Sequence, residues 1–344
     1  MNRKVLVSLV AALLVTGTTA ASAQDVTELR WGTSAVGSSG HRALTALANL
    51  LNEKMDDYRV IVQPTPGAIV SVKGYATGEF DGYYGSDIAF YELANNSDRF
   101  EGFQENVEVQ PVQSFWAFTV EVGLGVHASQ RENFDAWADL SGQRVFTGPR
   151  PWDTRAQVER GMRALGVEHE YVEVDLSTAG SLLESGQISG FLIYTNAEAT
   201  TAPWIIETGL TTDWELLNPS EEELGRLQEA GFGVTEVRNP AEVFQEDKLE
   251  ADKAVLLPFH YGFHVGLDVP EEDVYRMLQI IEENAAALAQ ADAGFAQIAE
   301  DMAGMQVRGV ESSVDLVPIH PGLARYMREK GVWNAAWDSR VATQ

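Results

Sequence analysis

The sequence predicts an α/β protein built as two α/β blocks that face each other like the halves of a clamp. Three observations carry this. Strand and helix signals alternate over residues 28–84 and again over 140–194. Two stretches unusually rich in apolar, β-branched and aromatic residues, 107–126 and 253–269, flank the second block. Helical patterns then follow at 271–291 and 295–302, late enough in the chain to return to the first block.

Each element has a local reason. Residues 28–32 read as a strand that ends in the Gly/Ser-rich loop 33–40. A helix over 41–54 follows, with Leu44, Leu47, Ala48 and Leu51 spaced to cover one face. Residues 58–63 form the second strand, closed by Pro64 and Pro66. A short helix over 67–77 stops at Gly78, and 80–84 is the third strand. This βαβαβ order implies a parallel sheet with helices on both faces. In the second block a strand and loop at 140–148 lead to a helix over 153–165. A strand at 171–174, a helix through Leu182 and Leu183, and a strand at 188–194 complete it. The hinge of the clamp falls near 115–121 and 256–266. The blocks are expected to be residues 24–118 with 262–344, and 119–261.

The amino terminus sets the expected compartment. Asn2, Arg3 and Lys4 precede an apolar run from Val5 to Val15, about half of what a membrane span needs. Ala21-Ser22-Ala23 supplies small residues for cleavage, so residues 1–23 read as a secretory signal peptide. No later segment is apolar enough to span a bilayer, which predicts a soluble periplasmic protein. The sequence has no cysteine, so neither disulfides nor a lipid anchor on a cleavage-site cysteine is expected. With 24 Lys and Arg against 51 Asp and Glu, the formal charge is −27. Such a surface repels nucleic acid and anionic lipid. At 45% hydrophobic residues the acidity is that of a folded coat and not of a disordered tail.

Three strand-to-helix loops, 33–41, 66–69 and 148–155, leave the carboxyl ends of inferred strands. Open α/β folds bind ligands there, and free N–H groups at helix starts favour an anion such as a carboxylate. The candidate ligand-binding residues on them are Thr33, Ser34, Ser38, Ser39, His41, Gly67, Ala68, Gly148, Trp152, Thr154 and Arg155. Arg155 is the expected charged anchor, because a guanidinium grips a carboxylate through two parallel hydrogen bonds. The alternative is a surface arginine paired with one of the many carboxylates. Trp116 and Trp152 could stack on a planar or apolar part of a ligand, a tryptophan placed as Trp116 is being more often plain core. Ser86 and Asp87 either orient a cleft loop or cap the helix that follows. Tyr194 and Asn196 close the candidate set.

These segments also carry a family resemblance. Leu29-Arg-Trp-Gly-Thr-Ser-Ala-Val-Gly-Ser-Ser-Gly40 resembles the opening loop of the TAXI proteins, the extracytoplasmic receptors of one branch of tripartite ATP-independent periplasmic (TRAP) transporters. Gly67, Gly78-Glu-Phe-Asp81 and Ser86-Asp87 are similar to that family's next block. Leu140-Ser-Gly-Gln-Arg-Val145, Pro270-Glu-Glu-Asp-Val-Tyr275 and His320-Pro-Gly-Leu-Ala-Arg-Tyr326 with Glu329 and Gly331 resemble later ones. The ordered set spans nearly the whole mature chain. The resemblance implies a type II periplasmic binding protein, two α/β lobes joined by two crossover strands with a ligand cleft between them. It also implies that a captured solute is passed to a TRAP membrane subunit. Gly148-Pro-Arg-Pro-Trp-Asp-Thr154 departs from the family's Gly-Ser-Gly-Thr, and Tyr194-Thr-Asn-Ala197 stands where a Gly-Pro is usual. The family's association with glutamate and other dicarboxylates is therefore not carried over.

Enzyme signatures are missing: no Gly-x-Ser-x-Gly elbow, P-loop, dinucleotide fingerprint or His-Glu-x-x-His helix occurs. No cofactor is expected. His260 and His264 lie on one side of a strand, but the sequence offers no third or fourth ligand nearby, so packing at the hinge is the expected role and no metal is assigned. The sequence favours an organic anion or amino acid as ligand. It leaves open a ligand sensor that docks on a membrane receptor, and a binding fold recruited as an enzyme.

Overall fold

The computed structural model describes residues 26–250 and 252–343; the expected signal peptide lies outside them. Strands β1 (Thr27–Gly32), β2 (Tyr58–Gln63) and β3 (Gly82–Ser86) form the first α/β half, with β2 and β3 both parallel to β1. Strand β4 runs Trp116–His127. Strands β5 (Arg144–Phe146), β6 (Glu170–Tyr171) and β7 (Gly190–Asn196) form the parallel part of the second half. β11 spans Val255–Val265, and three short strands pair at the sides: β8 (Thr200–Thr201) with β7, β9 (Trp214–Leu217) with β4 and β10 (Thr235–Glu236) with β11. The order is β2-β1-β3-β11-β4-β7-β5-β6.

Two strands hold the halves together. β11 pairs antiparallel with β3 through Tyr261–Val265 and with β4 through Leu257–Gly262. β4 in turn pairs antiparallel with β7 from Val120 to Val126. The two longest strands therefore cross from one half to the other side by side, over residues that overlap the stretches 115–121 and 256–266. The architecture is the expected two-lobed α/β one. A bulge interrupts the β4–β11 register between Tyr261 and Gly262. A side chain on Gly262 would meet the His264 ring at 2.2 Å and the Phe115 carbonyl at 2.4 Å, so only glycine fits.

Helix α1 (Ser39–Lys54) buries the predicted face, Leu44, Leu47, Ala48 and Leu51, with Ala43. Its cap is Ser38, whose hydroxyl accepts from the His41 N–H at 3.3 Å. α2 (Ala68–Ala76) and α3 (Asp87–Asn95) follow β2 and β3; α4 (Asp153–Leu165) follows β5, with the bounds expected of it.

Of the β-rich run 107–126, residues 107–115 lie outside β4: Pro111 has no N–H to give, and Gln113 bonds instead to Pro318, Val317 and His320. Two expectations need correction. The helix expected over 271–291 breaks at Asn284 into Glu271–Glu283 and Ala285–Ala291. The helix expected to end at 302 runs Ala296–Ser313, with non-helical angles at Asp301.

Candidate functional site

The three loops singled out in the sequence meet. Each leaves the carboxyl end of a strand (β1, β2 or β5), and each hands the chain to a helix whose first turn points at the same space. The first half contributes Ser34, Ser38, Ser39, Gly40, Ala68 and Tyr84 to that cavity; the second contributes Trp152, Thr154, Tyr194 and Asn196. The crossover strands supply Val120 and Tyr261. The cavity volume is about 40 Å³, room for about three waters. A solute of several heavy atoms enters only if the faces part.

The faces are in contact across the cleft. Trp152 Nε1 donates to the Pro66 carbonyl at 3.3 Å. A Cβ on Gly67 would lie 2.8 Å from the Pro151 carbonyl oxygen. Asp153, fully buried at the first position of α4, accepts from Ser86 Oγ (2.6 Å), Arg99 Nη1 (2.5 Å) and Tyr261 OH (2.7 Å). Tyr261 stacks on Tyr84 at 4.2 Å between ring centroids. Burial raises both phenols well above their ordinary range, so they stay neutral donors.

Polarity is concentrated and unbalanced. The starts of α1, α2 and α4 present backbone N–H groups with no intrahelical partner. Ser39 Oγ, Thr154 Oγ1 and Asn196 Oδ1 are buried without a hydrogen-bond partner, as is Thr33 Oγ1 just behind them. Buried polar atoms without partners are uncommon and costly in a folded protein. The described lining contains no His, Lys, Arg, Asp, Glu or Cys.

Asn196 stands at the edge of a tight turn. Ala199 N–H bonds back to the Asn196 carbonyl at 3.1 Å, and the two central residues, Ala197 and Glu198, have φ of 57° and 55°. Neither is glycine, so the turn is strained. It is held from beneath by β4. Ala197 N–H donates to the Thr119 carbonyl (2.9 Å) and Glu198 N–H to the Glu121 carboxylate (3.0 Å). Glu121 also accepts from Thr195 Oγ1 at 2.5 Å and from the Thr119 hydroxyl. Burial pushes the Glu121 carboxyl up to about 7, against those hydrogen bonds.

Other predicted residues sit elsewhere. Arg155 turns away from the cavity, its guanidinium 4.1 Å from the Tyr171 ring centre and 3.3 Å from Glu159, the carboxylate pairing named as its alternative. Trp116 is wholly buried in the first half. Its N–H is taken by Gln113 at 3.0 Å, and its ring packs on Phe90 and His264. It does not reach the cavity. Gly148, at φ 107°, shapes the loop from behind, against Leu192. His41 lines a separate open depression with Arg42, Thr200 and Asp292. Ser86 caps α3, accepting from Ala89 N–H at 3.1 Å, while Asp87 accepts from the His260 N–H at 3.0 Å. Gly67, the cap of α2, faces Pro151 and is not in the cavity lining, which its neighbour Ala68 reaches.

His264 is fully buried, and its Nδ1 accepts from the backbone N–H groups of Ser114 and Phe115. Burial holds its pKa down to about 3. No group of three or more metal-binding side chains occurs among the described residues. Sequence reasoning missed Tyr84, Val120 and Tyr261 in the lining, Gly40 within a loop it had singled out, and Arg99 behind the lining. Apart from Gly40, only their tertiary neighbours make them part of the site.

Matching against protein families places residues 31–331 in the NMT1-like family. The chain belongs to the NMT1-like family. Solved structures similar to this NMT1-like chain include the periplasmic aliphatic sulphonate binding protein SsuA from Escherichia coli. It is 13% identical, with 88% of this chain and 90% of that one covered at a TM-score of 0.45. A putative L-cystine ABC transporter protein from Listeria monocytogenes is 11% identical, covering 78% and 96% at 0.43. The amino acid ABC transporter substrate-binding protein AbpA from Streptococcus pneumoniae, bound to L-arginine, is 11% identical, covering 79% and 94% at 0.41. No curated protein sequence matches the chain. Among the described residues, no helix is long and apolar enough to cross a membrane.

Proposed function

We propose that this chain is an exported solute receptor of the periplasm that closes its two halves on a small organic acid or amino acid and delivers it to a membrane transporter. One observation carries the reading: three helix starts and three partnerless buried polar groups, Ser39, Thr154 and Asn196, converge on one cavity between the halves. The N–H groups and hydroxyls suit a carboxylate. The Asn196 amide both donates and accepts, and so suits a hydroxyl or amino group on the same solute. Trp152, Tyr84 and Tyr194 provide apolar walls for the remainder.

Binding without chemistry is favoured because the described lining lacks any titratable acid, base or thiol apart from phenols held neutral by burial. Delivery to a TRAP-type membrane subunit rests on the ordered motifs from Leu29 to Gly331. Export rests on the charge order and Ala-x-Ala end of residues 1–23.

The test is a thermal-shift screen of carboxylates and amino acids, followed by calorimetry and small-angle scattering on the hits. A true solute is expected to raise the melting temperature, bind one per chain and lower the radius of gyration. A confirmed solute that binds without compaction removes the clamp, and a screen with no binder removes the receptor.

A further inference from the structure

The Asp153 carboxylate is surrounded as a bound ligand would be. One oxygen takes Arg99 Nη1 at 2.5 Å; the other takes Ser86 Oγ at 2.6 Å and Tyr261 OH at 2.7 Å. The other two guanidinium nitrogens fork onto Glu92 at 2.8 and 3.0 Å, which fixes the plane of the Arg99 head. Asp153 has no solvent exposure. The donors come from the first half and from crossover strand β11, whereas Asp153 belongs to the second half. The next residue, Thr154, lines the cavity, and so does Tyr261, so this nest shares a wall with the proposed solute site.

We infer that Arg99, Ser86 and Tyr261 form a carboxylate-binding subsite of the cleft, which the protein fills with its own Asp153. The inference rests on reading the cavity as a solute site. Two consequences follow. The Asp153 carboxylate latches the halves together, doing from within the chain what a second acid group on a ligand would do. It also denies Arg99 to the solute, so the site takes a molecule with a single acid group, held at the helix starts, and excludes a diacid.

The experiment removes the internal occupant and offers an external one. Asp153→Ala keeps the helix start and leaves a space the size of a carboxylate. Sodium formate at about 100 mM, compared with sodium chloride at equal ionic strength, is expected to raise the melting temperature of this variant by about 3 °C or more. Wild type, whose subsite is already filled, should respond clearly less, through the helix starts alone, and benzoate, too large for the space, should not reproduce the extra shift of the variant. A folded Asp153→Ala protein that ignores formate overturns the subsite, as does an equal response in wild type. Should Asp153→Ala fail to fold, Ser86→Ala with Tyr261→Phe removes two donors and leaves the charges paired. Its solute-free radius of gyration is then expected to exceed that of wild type, and an unchanged value overturns the latch. The formate response is independent of the solute screen. A screen without hits therefore counts against the receptor alone, and a missing formate response against the subsite alone.

Discussion

Gly67 and Pro151 touch across the cleft: a methyl group on Gly67 would sit 2.8 Å from the Pro151 carbonyl oxygen and 3.1 Å from its Cβ. The obstruction is backbone and cannot rotate aside. Gly67 has an extended backbone, φ 180°, so a side chain costs nothing within its own half. Gly67→Val is therefore expected to wedge the halves apart. Scattering should show a larger radius of gyration, and calorimetry an affinity for the identified solute lower by about tenfold or more, equivalent to about 1.4 kcal/mol. Affinity equal to wild type would mean that these faces need not meet for binding.

Arg155 and Asn196 give opposite expectations. The Arg155 guanidinium is engaged by Tyr171 and Glu159 outside the cavity, so Arg155→Ala should leave solute affinity within about twofold of wild type. Asn196→Ala removes a buried polar partner and should weaken binding by about 1–3 kcal/mol. Calorimetry on the pair decides between a site anchored by a side-chain cation and one anchored by helix starts. A large loss in Arg155→Ala with none in Asn196→Ala would reverse the assignment.

Glu121 makes stability depend on pH in an unusual direction. Its carboxyl titrates near 7 when folded, against an ordinary value of 4.5. The native state therefore holds a proton that the unfolded chain has lost between those values. The stability this lends is complete below pH 4.5 and is lost as pH rises through 7. Glu121→Gln abolishes the effect. The stability of wild type relative to the variant should fall by up to about 3 kcal/mol from pH 4.5 to 7, then stay level. Denaturant unfolding at a series of pH values measures it. The difference is the quantity to read, because His264, held down to about 3, destabilises both proteins as pH falls below 6.5. A difference that does not change with pH would show that Glu121 keeps an ordinary carboxylate pKa.

Trp116 is a packing residue. A Cβ on Gly309 would meet its ring at 2.1 Å, so Gly309→Ala forces a rigid indole to move and should cost about 1–3 kcal/mol or more. Trp116→Ala should cost about 3–5 kcal/mol. Both should keep solute affinity, since Trp116 lies outside the cavity lining. Loss of binding in a folded variant would restore Trp116 to the site.

Local sequence signals carried the fold further than the site. Alternating apolar strands and a one-faced helix such as α1 are written in residue spacing, and the crossover strands show as long β-rich runs. The glycine and serine loops also showed where helix starts would gather. What spacing cannot show is which side chains from distant segments meet. Tyr84 and Tyr261 lie 177 positions apart yet stack at 4.2 Å. Asp153 reads locally as a helix-start residue, and its partners Ser86, Arg99 and Tyr261 are assembled only by the fold. Arg155 shows the converse. A guanidinium on a strand-to-helix loop made it conspicuous, but a carboxylate one helical turn on at Glu159 and the Tyr171 ring engage it first.

The turn bearing Asn196 behaves as a bent spring whose anchor is the hinge. Two non-glycine residues sit in the left-handed region of the β7–β8 turn, and Thr119 and Glu121, both on β4, grip their N–H groups. A bend of β4 at those positions would strain both contacts at once and so bear directly on Asn196, which β4 also pairs through Val120. On the receptor reading proposed above, separation of the halves and loss of the solute would then be coupled through the bending of that one strand.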